Sequence, residues 1–243
     1  MNSLKKFWHW LWNSESIWSY IIFLIIAFII IKFIFLQALS LAFGMGLHGL
    51  PLAIVESSSM EHYSLKTCLN ADCSSITNYY DLCGNKFSEK RFFSLDDYWQ
   101  ECGNWYESKN ITKSEFSGFP LKNGFRKGDI MIIWGWKSPR LGDVIVFNAP
   151  PVKTPIIHRV ISLNPLATKG DHNSDQLTES NYLAKETSIN SEQVVGVAVG
   201  RIPYLGWPKI LFVQYPIASI LVIVLIIVVF FYFDKRRQNK DKF

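Results

Sequence analysis

The chain places two long apolar runs near its ends and a more polar, strand-patterned region between them. The first run covers residues 17–31, ends at Lys32 and is followed by a second apolar stretch at 33–41. The other run covers residues 217–233 and directly follows Pro216, a residue favoured at the first position of a helix. A helix needs about 20 apolar residues, and at least about 17, to cross a bilayer. Both runs therefore predict membrane-spanning helices.

The first run predicts a retained anchor at 17–41 rather than a cleaved signal peptide. Its apolar core extends too far, and no small-residue cleavage site closes it. The other run predicts a second membrane helix at 214–233. For either run the alternative is a helix buried in the core of the protein.

The net charge of +5 lies outside the middle of the chain. Residues 1–16, Lys32 and the tail at 234–243 together hold eight basic and three acidic residues, so the remainder is neutral. Positively charged flanks of membrane helices stay in the cytoplasm, which predicts both termini inside and the middle outside. A neutral middle also argues against binding nucleic acid, which requires a basic surface.

Four segments of this middle region are patterned as β-strands. They are rich in β-branched and aromatic residues, are separated by Gly and Pro turn signals, and cover 130–136, 143–149, 155–163 and 194–202. Short strands at this spacing predict a mainly β fold, a sandwich or barrel-like domain rather than βαβ units. The polar and aromatic residues before them, 63–122, predict a surface insertion.

All four cysteines fall within this insertion. An even number of clustered cysteines in an external segment predicts two disulfides, for which three pairings are possible. Zinc binding is the alternative, although the spacing contains no C-x2-C pair. The candidates are Cys68, Cys73, Cys83 and Cys102. The sequon that begins at Asn110 fits an exposed external loop.

Three short segments bring reactive polar groups to the ends or the middle of apolar stretches. LPLAIVESSSM contains the serines 57–59, PIIHRV contains His158, and TKGDHNSD contains Asp171 and Asp175. A serine hydroxyl needs a neighbouring base, a neutral imidazole suits that task near pH 7, and a carboxylate can orient the imidazole. These groups allow a hydrolase, although a lone histidine in a strand is more often a core residue.

Six motifs in order add a family resemblance. They are S-x-S-M at 57–60, KGDIMII at 127–133, LGDVIVFNAP at 141–150, PIIHRVIS at 155–162, TKGDHN at 168–173 and VVGVAVGRIPYLGW at 194–207. Placed just after an apolar run, they resemble the type I signal peptidases, specifically their archaeal and endoplasmic-reticulum branch. The bacterial branch has a lysine where this sequence has His158, so the resemblance implies a Ser–His mechanism.

The resemblance also implies a role for each candidate residue. Ser59 is expected to be the nucleophile and His158 the general base. Ser57 and the backbone N–H of Ser59 are expected to bind the oxyanion. Asp175 is the expected partner of His158 and completes the triad, with Asp171 as a supporting carboxylate. No metal or organic cofactor is implied.

Some features depart from the family pattern. The spacing that leads to Asp175 is shorter than is common, and the cysteine-bearing insertion is unusual; it could shield the groove, recruit a partner or recognise a substrate. Ser58 stands where the family has Gly or Pro and has no expected role. His172 is the only rival base, and a solvated turn histidine is the expected reading.

Together these features predict a two-pass membrane protein with a signal-peptidase-like all-β catalytic domain at 50–210, facing the extracellular space or the lumen. The resemblance implies that it removes signal peptides from secretory precursors at the bilayer surface, and it suggests the protein-translocation channel as a further partner. Two other functions stay open: a catalytically silent ectodomain that binds secreted or envelope proteins, and a related protease that releases pilin-like or anchored proteins.

Overall fold

The structure is a computed structural model that describes residues 3–46, 51–66, 75–178 and 185–240, the side chains of 231–240 excepted. Within these residues the chain forms a curled antiparallel sheet, a partly helical insertion packed against it, and apolar helices on both sides of the sheet in sequence.

The N-terminal apolar run is a helix, as the sequence predicts. Its elements are α1 (Ser3–Asn13), α2 (Ile17–Ile30), a π-helical turn (Ile31–Phe35) and α3 (Leu36–Ala42). The last three form one stretch of 26 residues that contains an 18-residue segment with a mean hydropathy of 2.8, which is long and apolar enough to cross a membrane. At 1.5 Å per residue it spans about 39 Å. The ammonium group of Lys32 lies 5.3 Å from the ring centroid of Phe33.

The main sheet has six strands, all paired antiparallel, in the order β1-β4-β8-β5-β6-β7. These strands are β1 (Leu52–Ile54), β4 (Ile130–Trp134), β5 (Val144–Phe147), β6 (Ile156–Leu163), β7 (Leu166–Lys169) and β8 (Val194–Ile202). The prediction of a mainly β fold is confirmed, and β4, β5, β6 and β8 lie within the four predicted segments.

Strand β5 lies inside the sheet and is buried along its whole length. Val144 and Val146 pack into one apolar cluster, while Ile145 and Phe147 pack into another on the opposite face. Successive side chains of a strand point to opposite faces, so a strand with a core on both sides must be apolar throughout. Ile145 pairs with His158 of β6, which places this histidine in the interior of the sheet.

The insertion has its own hydrophobic core and is not a surface loop. It contains the hairpin β2 (Tyr80–Leu82) and β3 (Asn85–Phe87) and the helices α4 (Leu95–Glu107) and α5 (Lys113–Gly118). The core joins these elements to strands β6 and β7; its buried residues include Leu82, Tyr98, Tyr106, Phe116, Ile161 and Ala167. The expectation of an all-β domain is therefore too narrow, because two helices pack against the sheet.

One disulfide joins the hairpin to helix α4. It links Cys83, directly after β2, to Cys102 in α4. Cys68 and Cys73, the other two candidates, lie outside the described residues. Zinc coordination by Cys83 and Cys102 is incompatible with this bond, since both sulfur atoms are already used.

The segments that lead to the two apolar ends of the chain both contact residues next to strand β4. The N–H of Gly135, after β4, donates to the carbonyl of Phe43, 2.7 Å away, and the N–H of Gly206 donates to the carbonyl of Gly128, 2.8 Å away. After Gly206 come α6 (Trp207–Gln214) and α7 (Pro216–Lys240). Among the described residues, α6 and the first part of α7 reach the length and apolarity of a membrane span only together, with a bend of 117° between them. The second span stays a prediction.

Candidate active site

The serine motif forms a short loop directly after the edge strand β1. Buried residues hold both ends of this loop: Val55 accepts a hydrogen bond from the N–H of Gly128 (2.8 Å), and Met60 accepts one from the N–H of Phe125 (3.1 Å). Between these anchors Ser59 is half-buried. The loop therefore presents its hydroxyl groups at the surface of a fixed backbone.

Ser59 and His158 lie in direct contact, although 99 positions separate them in the chain. Nε2 of His158 lies 2.8 Å from Oγ of Ser59. The imidazole is only 2% exposed because β6 pairs with β5 on one side and β7 on the other. The short distance between Oγ and Nε2 and the burial of the ring allow the hydroxyl to donate its proton to a neutral imidazole.

The carboxylate that contacts His158 belongs to Glu186. Nδ1 of His158 forms a short hydrogen bond with Oε1 of Glu186, which is fully buried. Two further donors fix this carboxylate: Oγ1 of Thr168 at 2.9 Å and the N–H of Leu177 at 2.6 Å. A carboxylate that holds Nδ1–H leaves Nε2 free to accept the serine proton.

Asp175, the acid expected from the sequence, does not contact His158 in the described part of the chain. Its Oδ1 atom accepts hydrogen bonds from Nε1 of Trp105 (3.0 Å) and from the N–H of Gln176 (2.8 Å), and its side chain is exposed. The turn places Asp175 beside Trp105 of helix α4, whereas Glu186, which follows later in the sequence, is buried next to the imidazole. The predicted partnership of Asp175 and His158 is thus replaced by one with Glu186.

Asp171 is fully buried and supports the site without contacting His158. It forms a two-point ion pair with Arg159, with 2.9 Å from Nε to Oδ1 and 2.7 Å from Nη2 to Oδ2. The hydroxyl of Tyr106 donates to Oδ1 (3.0 Å), and Nε2 of His62 lies 3.3 Å from Oδ2. Burial by itself would raise the pKa of Asp171, but Arg159 and His62 outweigh it and hold this pKa well below the usual range.

The turn that contains Asp171 also contacts the serine loop. The N–H of His172 donates to the carbonyl of Ser59 at 2.9 Å. A Cβ atom on Gly170 would lie 2.8 Å from both Nε2 of His158 and the carbonyl oxygen of Ser59, so only glycine fits between them without displacement. The turn therefore fixes the distance between Ser59 and His158.

The insertion holds this turn from its other side. The N–H of Cys83 donates to the carbonyl of His172 at 2.9 Å, and the hydroxyl of Tyr98 donates to the carbonyl of Asp171 at 2.8 Å. With the bond from Tyr106 to Asp171, three hydrogen bonds connect the insertion to residues 171–172. The insertion is therefore part of the framework of the site.

His172 is buried rather than solvated, contrary to the expectation from its position in a turn. Only 7% of it is exposed, and burial lowers its pKa. Its Nδ1 atom lies 3.2 Å from the carbonyl of Glu61, which fixes Nδ1–H as the donor. The imidazole that contacts a serine hydroxyl is that of His158, so His172 is not placed to act as its base.

Ser57 lies beside Ser59, with 3.1 Å between the two Oγ atoms. A hydroxyl at this place can donate to an oxygen that develops negative charge next to Ser59. Ser58 makes no contact with His158 or Glu186 in the described residues.

A groove of about 1220 Å³ passes over the Ser59–His158 pair. One part of its wall is apolar and includes Leu52 and Ile54 of β1 with Ile156 and Ile157 of β6. Another part is polar and combines residues 172–176 with Asp81 and Gly84 of the insertion. This volume exceeds the roughly 300–1,000 Å³ of typical small-molecule sites and can hold several residues of a peptide.

Comparison with curated proteins finds relatives that include catalytic subunits of signal peptidase complexes. They include the signal peptidase complex catalytic subunit SEC11 of Metarhizium robertsii (29% identical over 105 residues), that of Pyrenophora tritici-repentis (33% over 105) and that of Leptosphaeria maculans (32% over 104). Each match covers 40% of this chain and 60% of the relative, so the chain spans less than two thirds of the length of these relatives. No protein-family model matches the chain.

Proposed function

We propose that the chain is a membrane-bound serine endopeptidase that removes signal peptides from secretory precursors. Its similarity to signal peptidase complex catalytic subunits supports this proposal. The observation that carries this proposal is the 2.8 Å contact between Oγ of Ser59 and Nε2 of His158. The carboxylate of Glu186 behind the same imidazole supports it.

In the first step Oγ of Ser59 attacks the carbonyl carbon of the scissile peptide, and its proton passes to Nε2 of His158. The tetrahedral intermediate collapses, the C–N bond breaks, and the proton moves from Nε2 to the leaving amine. Water then attacks the ester on Ser59, with His158 again taking and returning a proton. Because Glu186 binds Nδ1–H, it keeps the imidazole in the tautomer that both steps need and stabilises the imidazolium between them.

Negative charge on the intermediate is bound by two donors from the serine loop. These are the hydroxyl of Ser57, 3.1 Å from Oγ of Ser59, and the backbone N–H of Ser59. A single donor of this kind lowers the barrier by about 2.7–4 kcal/mol. Loss of Ser57 would therefore slow the reaction strongly without abolishing it.

The substrate binds as an extended strand in the groove. Strand β1 lies at the edge of the sheet, so its outer main-chain groups can pair with a peptide, and the neighbouring apolar wall accepts its side chains. The family resemblance adds that these are small residues just before the scissile bond.

The chain crosses the membrane twice, with both termini in the cytoplasm and the sheet outside. The apolar stretch at 17–42 and the basic tail at 234–243 support this arrangement. Met45 and Lys209, which lie next to the two apolar ends, both line the groove, so the site is held close to the bilayer. There the apolar segment of a precursor is concentrated, which raises its effective concentration at Ser59. A translocation channel that delivers such precursors is the expected partner.

The test is cleavage of a secretory precursor by the full chain in lipid vesicles. We expect a product that begins directly after the signal peptide, identified by N-terminal sequencing. Ser59→Ala should lower the rate by about 10⁴-fold or more, because the nucleophile is lost. Ser58→Ala removes a hydroxyl group from the neighbouring residue, and this variant should cleave normally. Equal processing by Ser59→Ala and the wild type would refute the proposal.

The orientation is tested separately by protease treatment of intact cells. Protease outside should digest the segment between the apolar helices and spare the tails. Protection of the middle and digestion of the tails would reverse the assignment.

A further inference from the structure

We propose that the polar wall of the groove is a recognition site for a basic side chain of the substrate, formed by Asp81 of the insertion and His172 of the central turn. The inference rests on the proposed function, because it specifies which precursors the same groove prefers. The basic residue would lie on the mature side of the scissile bond.

Asp81 faces the groove because of the alternation along strand β2. Leu82 is fully buried in the core of the insertion, so the side chain before it points to the opposite face and lines the groove. The main-chain N–H and carbonyl of Asp81 pair with Leu65 (2.7 and 2.9 Å), which fixes its backbone. Within the described ranges its carboxylate has no salt bridge and no side-chain hydrogen bond. Its backbone is therefore fixed, and no described side chain pairs with its carboxylate.

His172 supplies a second acceptor at the same wall. Its Nδ1–H is committed to the carbonyl of Glu61, so Nε2 carries a lone pair. Among the described residues this buried Nε2 atom has no hydrogen-bond partner. Buried acceptors are normally satisfied, and the imidazole of His172 lines the groove. In the proposed complex a donor on the bound peptide pairs with Nε2, which requires a small displacement of the wall because this atom is closed to solvent.

The two acceptors belong to one structural unit. The N–H of Cys83, two positions after Asp81, donates to the carbonyl of His172 at 2.9 Å. The charge of Asp81 also acts on the imidazole of His172 and favours its protonation, although burial outweighs this and keeps the pKa lowered. A neutral acceptor next to a carboxylate fits a ligand that offers several N–H donors and a positive charge, as the side chains of Arg and Lys do.

The remaining charges of the groove strengthen this preference. Asp175 is exposed on the same wall, and only its Oδ1 atom is engaged in described hydrogen bonds. Glu56 is already paired with Lys209 at 2.8 Å, so these two contribute little net charge. The wall formed by the insertion and the turn is therefore negative, which attracts cationic side chains and repels anionic ones.

The apolar wall sets the direction of the substrate. A signal peptide carries its apolar segment before the scissile bond, and this part suits the wall formed by β1 and the first residues of β6. Residues after the scissile bond then continue past Ser59 towards His172 and the insertion. The proposed site therefore reads the first residues of the mature protein.

The experiment measures peptide binding to the Ser59→Ala protein, so that it does not depend on turnover. Labelled peptides carry Arg, Gln or Glu at each of the three positions before and the three positions after the cleavage site. We expect Arg to bind about three to ten times more tightly than Gln at one of the positions after the site, as one partly exposed charge pair allows. Glu should bind most weakly there.

Variants assign the effect to Asp81. Adding Asp81→Asn should reduce the Arg-to-Gln ratio to about one, and Asp81→Lys should reverse the preference towards Glu. Asp96→Asn removes an equal charge from the insertion, but at an exposed ion pair with Lys113 outside the groove, and should keep the wild-type ratio. A ratio unchanged by Asp81→Asn, or a preference for Arg only before the cleavage site, would overturn the proposal. Failure of the wild type to cleave any precursor would instead count against the proposed function.

Discussion

The buried carboxylate of Glu186 is hydrogen-bonded to Nδ1 of His158, whose Nε2 atom lies 2.8 Å from Oγ of Ser59. Thr168 and the N–H of Leu177 hold the same carboxylate, so its position does not depend on the imidazole alone. Glu186, 28 positions after His158 in the chain, therefore orients the imidazole of His158.

Glu186→Gln should therefore lower kcat by about 100-fold to 10⁴-fold, because the amide can no longer stabilise an imidazolium and can favour the wrong tautomer. Asp175→Asn is the matched control and should stay within about threefold, since Asp175 binds Trp105 instead. Cleavage rates of one precursor decide between them. A larger loss in Asp175→Asn than in Glu186→Gln would contradict the assignment.

Gly170→Ala should disable the site without unfolding the protein. The added methyl group would lie 2.8 Å from Nε2 of His158 and 2.8 Å from the backbone carbonyl of Ser59, so the imidazole and the serine loop must move apart. A misplacement of about 1 Å can cost on the order of 100-fold in rate. Gly118→Ala has open space around the new atom and serves as the control. Normal cleavage by Gly170→Ala would show that this close approach is unimportant.

Tyr106→Phe tests whether the insertion stabilises the framework of the site. The variant keeps the ring and removes the hydroxyl that donates to Oδ1 of Asp171 at 3.0 Å. A hydrogen bond to a charged group contributes about 1.5–3 kcal/mol, so the free energy of unfolding should fall by about that amount. Tyr80→Phe removes a hydroxyl from the hairpin and should change stability little. The comparison is made by thermal or denaturant unfolding in detergent; equal stabilities for both variants would refute the role of Tyr106.

The ion pair of Asp171 and Arg159 predicts a specific loss of stability in acid. Because the pKa of Asp171 is lower in the folded protein than its ordinary value of about 3.9, its contribution is complete above that pH and is lost as the pH falls further. The lowered pKa values of His62 and His172, due mainly to burial, add a loss that begins below about pH 6.5.

Asp171→Asn should cost about 3–5 kcal/mol at pH 7, because it leaves the guanidinium of Arg159 buried without its partner. This variant should then lose less additional stability than the wild type between about pH 4 and pH 2. Unfolding free energies measured across this range provide the test. Parallel pH curves for the two proteins would mean that Asp171 does not have the lowered pKa.

The sequence alone predicts the parts of this molecule whose signals are local. The β-branched runs give β4, β5, β6 and β8 within a few residues, and the apolar run at 17–41 gives the N-terminal helix. Helix α4 also carries such a signal: Tyr98, Cys102 and Tyr106 recur at helical spacing and are buried, and Ser94 caps the helix. The polar character of the surrounding residues obscures this pattern.

The site could be predicted only in part. Ser59 and His158 belong to motifs with a recognisable order, so they were expected to meet although 99 positions apart. Glu186 belongs to no motif, and its role depends on the tertiary path of the chain after β7. The burial of His172 depends equally on the insertion folding over the turn, which no local pattern indicates.

The most direct test of the account compares precursor cleavage by Ser59→Ala, His158→Ala and the variant that combines both. If the hydroxyl and the imidazole act as one unit, each single change removes the same catalytic step, so all three proteins should share one residual rate, about 10⁴-fold or more below the wild type. If the losses multiply in the combined variant, or if His158→Ala keeps substantial activity, Ser59 does not depend on His158 and the mechanism is wrong.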